Sequence, residues 1–146
     1  MNRILTPEQA AEELIKNGFP TIFGEILKGN HRKHGSFHIY FEKPSKFYEL
    51  LAERPEDIPL HETLLPIHES NYSFFVSYEP SKRIFIEHSI EREDYEVVAR
   101  SFEEYQNYEV KRLIGDGVTP EELLAFGKLL EIKDIEEIVE EYKEEV

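Results

Sequence analysis

Histidines, carboxylates and serines carry whatever chemistry this chain can do, because its 146 residues include no cysteine and no tryptophan. That composition excludes a thiol nucleophile, a thiolate zinc site and a disulfide framework. His31, His34 and His38 are spaced H-x2-H-x3-H, and imidazoles three and four apart converge on a zinc ion if the backbone is helical. Gly29, Asn30 and Gly35 argue against a helix there, Arg32 and Lys33 repel a dication, and only Glu25 or Glu42 lies near enough in sequence to complete a shell. A basic, histidine-bearing loop is the preferred reading, and a metal-dependent hydrolase the weakest alternative. His61-Glu62 and His68-Glu69 resemble half of a zincin pattern but lack the second histidine of H-E-x-x-H. No Gly-x-Ser-x-Gly elbow surrounds Ser36, Ser70, Ser73 or Ser101, and no phosphate-cradling Gly-rich pattern is present. With 31 Asp and Glu, chance carboxylate pairs are unavoidable, so no catalytic pair stands out. The sequence therefore implies no catalytic residue, no metal and no cofactor.

The elements that would position these residues carry clear start and stop signals. Thr6-Pro7-Glu8-Gln9 and Thr119-Pro120-Glu121-Glu122 are capping boxes with proline in the first helical position, and Ser101-Phe102-Glu103-Glu104 is a third box. They open helices that bury Ala10, Ala11, Leu14 and Ile15; Leu123, Leu124, Phe126, Leu129 and Leu130; and Phe102, Tyr105, Val110, Leu113 and Ile114. Gly18 and Gly115-Asp116-Gly117 end two of them. Phe23, Ile26 and Leu27 read as a short second helix, Pro44 and Ser45 start another through Phe47, Leu50 and Leu51, and a last amphipathic helix begins near Lys133. Its acid run reads as a solvated helix face. Phe37, Ile39 and Phe41 alternate with polar residues, which predicts a strand. Leu64 to Ile67, Tyr72 to Tyr78 and Arg83 to His88 predict further strands, the last two joined by a turn at Glu79-Pro80-Ser81-Lys82 as an antiparallel hairpin. The expectation is one α+β domain over residues 1–146, an antiparallel sheet of four to six strands flanked by helices, with a core over about 5–114 and a helical extension over 118–146.

Charge is distributed unevenly. Residues 1–50 carry 7 Lys plus Arg against 6 Asp plus Glu, whereas residues 51–146 carry 10 against 25, so the net charge of −14 belongs to the C-terminal two-thirds. Such a field repels phosphate backbones and attracts basic proteins, which disfavours nucleic acid as a direct partner. No apolar run reaches the length of a membrane span, and the lack of cysteine and of an apolar leader predicts a cytoplasmic location.

Three stretches resemble the SUKH superfamily, single-domain α+β proteins that include many bacterial immunity proteins. Phe19-Pro20 followed by Phe23, Ile26, Leu27 and Gly29-Asn30 is similar to the family's Leu-Pro, aromatic and Asn-Gly segment, with the glycine and asparagine in reversed order. Leu64-Leu65-Pro66-Ile67, Tyr72 to Tyr78 and Arg83 to His88 resemble its central sheet, and Ser101-Phe102-Glu103-Glu104-Tyr105 resembles its closing helix. The family's frequent tryptophans are missing, and the helices after Gly117 extend past the usual end. The resemblance implies a non-enzymatic protein that binds and neutralises a cognate toxin, frequently a nuclease. A general interaction or scaffold module of the same fold is the alternative. An acidic face competing for a basic cleft gains on-rate by electrostatic steering and loses it in salt. For that face the sequence offers Glu69, Glu79, Glu87, Glu91, Glu93, Asp94 and Glu96 around the hairpin, with Tyr72 or Tyr95 as aromatic anchor.

Overall fold

The computed structural model describes residues 5–54, 64–69, 74–89 and 95–145. Helices α1 (Pro7–Lys16) and α2 (Thr21–Lys28) form an antiparallel pair at the N-terminus. The Thr6 hydroxyl accepts from the Gln9 amide and the Gln9 side chain returns a bond to Thr6, so the first capping box forms as its sequence dictates. At the end of α2, Gly29 adopts a φ of 79°, a left-handed conformation that frees the chain to turn at once into a 3-10 turn over Asn30–Lys33.

The predicted strand around Phe37, Ile39 and Phe41 is instead a one-turn helix, α3 (Phe37–Tyr40). Apolar residues at 37, 39 and 41 satisfy a period of two, but 37 and 41 are also four apart and share one helical face. The Phe41 amide bonds the Phe37 carbonyl at 3.0 Å, the two rings stack at 4.4 Å, and Ile39 is left 46% exposed. The helical turn keeps both rings fully buried and brings the Phe37 ring edge-on to Phe126 at 5.4 Å, with Ile39 left at the surface. Glu42 still forms an isolated antiparallel bridge to Glu69. Helix α4 (Ser45–Glu53) follows.

Strands β1 (Leu65–Glu69), β2 (Phe74–Glu79), β3 (Ile84–Ser89) and β4 (Tyr95–Ala99) form a four-stranded antiparallel meander in that order. The fold is thus α+β, with four strands among the described residues, and β4 is a strand that the sequence pattern does not mark. In the β2–β3 hairpin Tyr78 faces Phe85 and Glu79 faces Ile84. The Glu79 carboxylate accepts from the amide and hydroxyl of Ser81, which ties down the turn.

Helices cover the sheet on both faces, which is why most residues of β1, β2 and β3 are buried, whereas on the edge strand β4 only Ala99 is. Leu65, Val76, Tyr78, Phe85 and Ala99 pack with α1, α2 and the C-terminal helices α5 (Phe102–Gly115), α6 (Pro120–Leu129) and α7 (Ile135–Glu145). Phe75, Ile84 and Ile86 pack on the other face against Phe47, Leu50 and Leu51 of α4. Helices α6 and α7 approach so closely at Gly127 that an added Cβ would lie 2.1 Å from an Ile135 side-chain carbon. Among the described residues no helix is long and apolar enough to cross a membrane.

Candidate binding site

The three spaced histidines separate once the loop folds. His34 bonds Glu25 at 2.9 Å, and Lys33 pairs with the other oxygen of the same carboxylate at 2.7 Å. Burial alone would raise the Glu25 carboxyl, but Lys33 and His34 together hold it below the usual range. His38 sits in α3 with its Nδ1 on the Gly35 carbonyl at 3.0 Å, while His31 lies in the 3-10 turn with its ring centroid 6.5 Å from that of His38. No three His, Asp or Glu among the described residues are arranged to hold a metal ion.

His31 and His38 instead line a cleft of about 410 Å³ bounded by the 3-10 turn, the start of α4 and the end of β1. Two interior groups face this cleft. His31 is 2% exposed, and burial, reinforced by Arg32 and His38, lowers its pKa to about 4, so the ring is neutral at pH 7. The ring bonds the main chain at Phe41, and no described residue bonds its Nδ1. Glu69 is 6% exposed, and burial raises its carboxyl despite the Lys46 ammonium and a bond from the Lys46 main chain. No described residue bonds Glu69 Oε1.

Of the acidic face expected around the hairpin, the five described members divide between interior and surface. Glu69 and Glu79 are buried, the first at the cleft and the second capping its turn. Glu87 is half-buried and accepts a hydrogen bond from the Tyr108 hydroxyl of α5. Among the described residues of this set, Tyr95 and Glu96 are the exposed ones, on the edge strand β4, where neighbouring residues point to opposite faces. Tyr72, Glu91, Glu93 and Asp94 lie outside the described residues. Exposed carboxylates are spread over the described chain, and α7 carries a continuous set of six, Glu136, Glu137, Glu140, Glu141, Glu144 and Glu145, against Lys143.

Sequence reasoning also missed a buried polar cluster under the opposite face of the sheet. Glu109 Oε2 accepts from His68 Nε2 at 2.5 Å and from the Tyr105 hydroxyl at 2.6 Å, while Oε1 accepts from Arg112 Nε at 2.7 Å. The Arg112 guanidinium lies over the Phe41 ring, 4.7 Å from its centroid. Burial pushes the Glu109 carboxyl up, but Arg112 and His68 outweigh it and hold the group ionised. A β-bulge builds this cluster: the register shifts between Pro66 and His68, so His68 pairs with Val76. Strict alternation would have placed His68 opposite Phe75, on the α4 side. The only advance signal was a glutamate and an arginine one helical turn apart, Glu109 and Arg112, among apolar neighbours.

In comparisons with known proteins, no family model, no curated protein and no solved structure matches this chain.

Proposed function

We propose that the protein is a non-enzymatic binding module that neutralises a basic toxin domain through its acidic surface, the role its sequence resemblance to the SUKH superfamily implies. The observation that carries this reading is the six carboxylates and one lysine on the outer surface of α7. Its apolar stripe is spent inside: Ile135 and Val139 are buried, and the Tyr142 hydroxyl bonds the Val118 carbonyl at 2.6 Å. The helix is thereby fixed to the body and presents its charge at set positions. A fixed anionic ridge steers a cationic partner into a defined orientation, raising the association rate more than it slows dissociation.

Calorimetric titration with the C-terminal domain of the protein encoded beside this one tests the reading, at low and high salt, alongside growth rescue on expression of that domain. Tight binding that weakens with salt, together with rescue, is the expected result. Absence of both contradicts it. Reversing Glu136, Glu137, Glu140 and Glu141 to lysine weakens binding by about tenfold or more and flattens the salt dependence. Unchanged affinity in that variant removes α7 as the contact surface.

A further inference from the structure

We propose that the cleft between the 3-10 turn, α4 and β1 binds a small dipolar molecule of the α-amino acid class, with its ammonium held at Glu69 and His31 and its carboxylate at the cationic rim. Two side chains more than nine-tenths buried line this cleft, and each keeps a polar atom that no described residue bonds. A buried group left so costs stability, and a ligand or ordered water in the cleft is what could meet it.

The type of each atom selects the ligand. His31 donates one ring N–H to the Phe41 main chain, so in the neutral ring Nδ1 is a lone-pair acceptor. Glu69 Oε1 is also an acceptor when the carboxyl is ionised. Two acceptors lining one cleft suit a group with several N–H donors, and an ammonium supplies three. An ammonium beside Glu69 would also offset the burial that disfavours its charged form.

The balance of fixed charge around the cleft selects the rest of the molecule. Arg32, Lys43 and Lys46 supply three cations, and Glu42, Glu49 and Glu69 supply three carboxylates. A lining of zero net charge gives little attraction to a multiply charged anion such as a nucleotide. It does orient a molecule whose opposite ends carry opposite charges. The volume of about 410 Å³ lies within the range of small-molecule sites and accommodates an amino acid or a dipeptide. Both sources share one chemistry, an ammonium and a carboxylate on a short frame. This site is separate from α7, and neither reading depends on the other.

The experiment is thermal unfolding of the whole chain with each proteinogenic amino acid, and separately with a panel of dipeptides, at millimolar concentration. At least one raises the midpoint, by roughly 8 °C when present at about a hundredfold its Kd. The N-acetylated form of that compound, which has lost the ammonium, has no effect. Glu69→Gln abolishes the rise, and Arg32→Gln, on an exposed residue whose change leaves the fold intact, weakens binding by about tenfold. Nitrogen NMR of the imidazoles then shows the His31 ring shifting on titration while the His88 ring does not. A rise with dipeptides but not free amino acids identifies the longer ligand within the same proposal. No rise with any compound overturns it, as does a rise that persists in Glu69→Gln or leaves the His31 resonances unmoved.

Discussion

Two glutamates are buried on opposite sides of the sheet, and their surroundings differ. Glu109 receives three hydrogen bonds, from His68, Tyr105 and Arg112, and is held ionised. Glu69 has one oxygen that no described residue bonds, and its carboxyl is pushed toward the neutral form. Burial is the first cause in both cases; what differs is the compensation around it. Glu109 is a structural group whose partners come from β1 and α5, so it ties the sheet to the helical layer. Glu69 sits where β1 meets the bridge to Glu42, at the floor of a cleft with room for a ligand. The lesson is that burial alone does not assign a role to a carboxylate, whereas the count of its donors separates a group that holds the fold from one poised to hold something else.

Removing the Glu109 side chain tests the structural half of this contrast with the largest effect. Glu109→Ala leaves Arg112 and His68 buried without their carboxylate and lowers stability by about 3–5 kcal/mol, measured by urea unfolding at pH 7. A loss under about 1 kcal/mol would remove the distinction between the two sites.

A pH series gives the next effect. His88 is buried against Phe47 and Phe75 with Nε2 and the Ser77 hydroxyl 3.0 Å apart, and burial lowers its pKa to about 4. The unfolded chain takes up this proton near pH 6.5, before the native protein does. Stability is therefore full above pH 6.5 and falls by roughly 3 kcal/mol as pH drops to about 4. His31 titrates in the same direction. Glu109, whose folded pKa is depressed, keeps its contribution through this window and loses it only in stronger acid, as pH falls through the folded value. Urea unfolding of His88→Gln at successive pH values shows a shallower slope between pH 6.5 and 4; an unaltered slope would assign the acid sensitivity elsewhere.

The smallest effect is expected on α7. The four charge reversals that weaken partner binding change stability by no more than about 0.5 kcal/mol, because the residues are solvent-exposed. A larger loss in urea unfolding would show that the helix needs these carboxylates for its own docking, and would undercut its use as a recognition surface.

Where the sequence was legible, the signal was local. The capping boxes at Thr6 and Thr119 and the hairpin turn each depend on residues within four positions and form as read; Ser101 caps its helix, but the Glu104 carboxylate accepts from the Arg100 amide and not from Ser101, so the third box does not close. The errors came where two periods coincide or where a bulge resets the phase. Phe37 and Phe41 fit a strand and a helical turn equally, and only the stacking of their rings under α6 decides between them. In β4, a register shift opposite Phe85 and Ile86 breaks the alternation that would have marked Tyr95–Ala99 as a strand. Glu69 and Glu79 looked like surface charges because most glutamates are; their burial depends on α4 covering a second face of the sheet, a long-range fact that spacing does not carry. His31, His34 and His38 share a spacing in the sequence, but in the fold His34 turns to Glu25 while His31 and His38 line the cleft with Glu69, a proximity visible only in three dimensions.

The most direct test replaces each buried carboxylate with its amide and compares the two proteins by urea unfolding at pH 7. Glu109→Gln swaps an acceptor of three bonds for a group that cannot balance Arg112, and it is predicted to lose several kcal/mol, roughly 3 or more. Glu69→Gln removes a charge that burial disfavours and is predicted to stay within about 1 kcal/mol of the natural protein. Equal losses in the two variants would contradict the account, because they would make Glu69 as structural as Glu109.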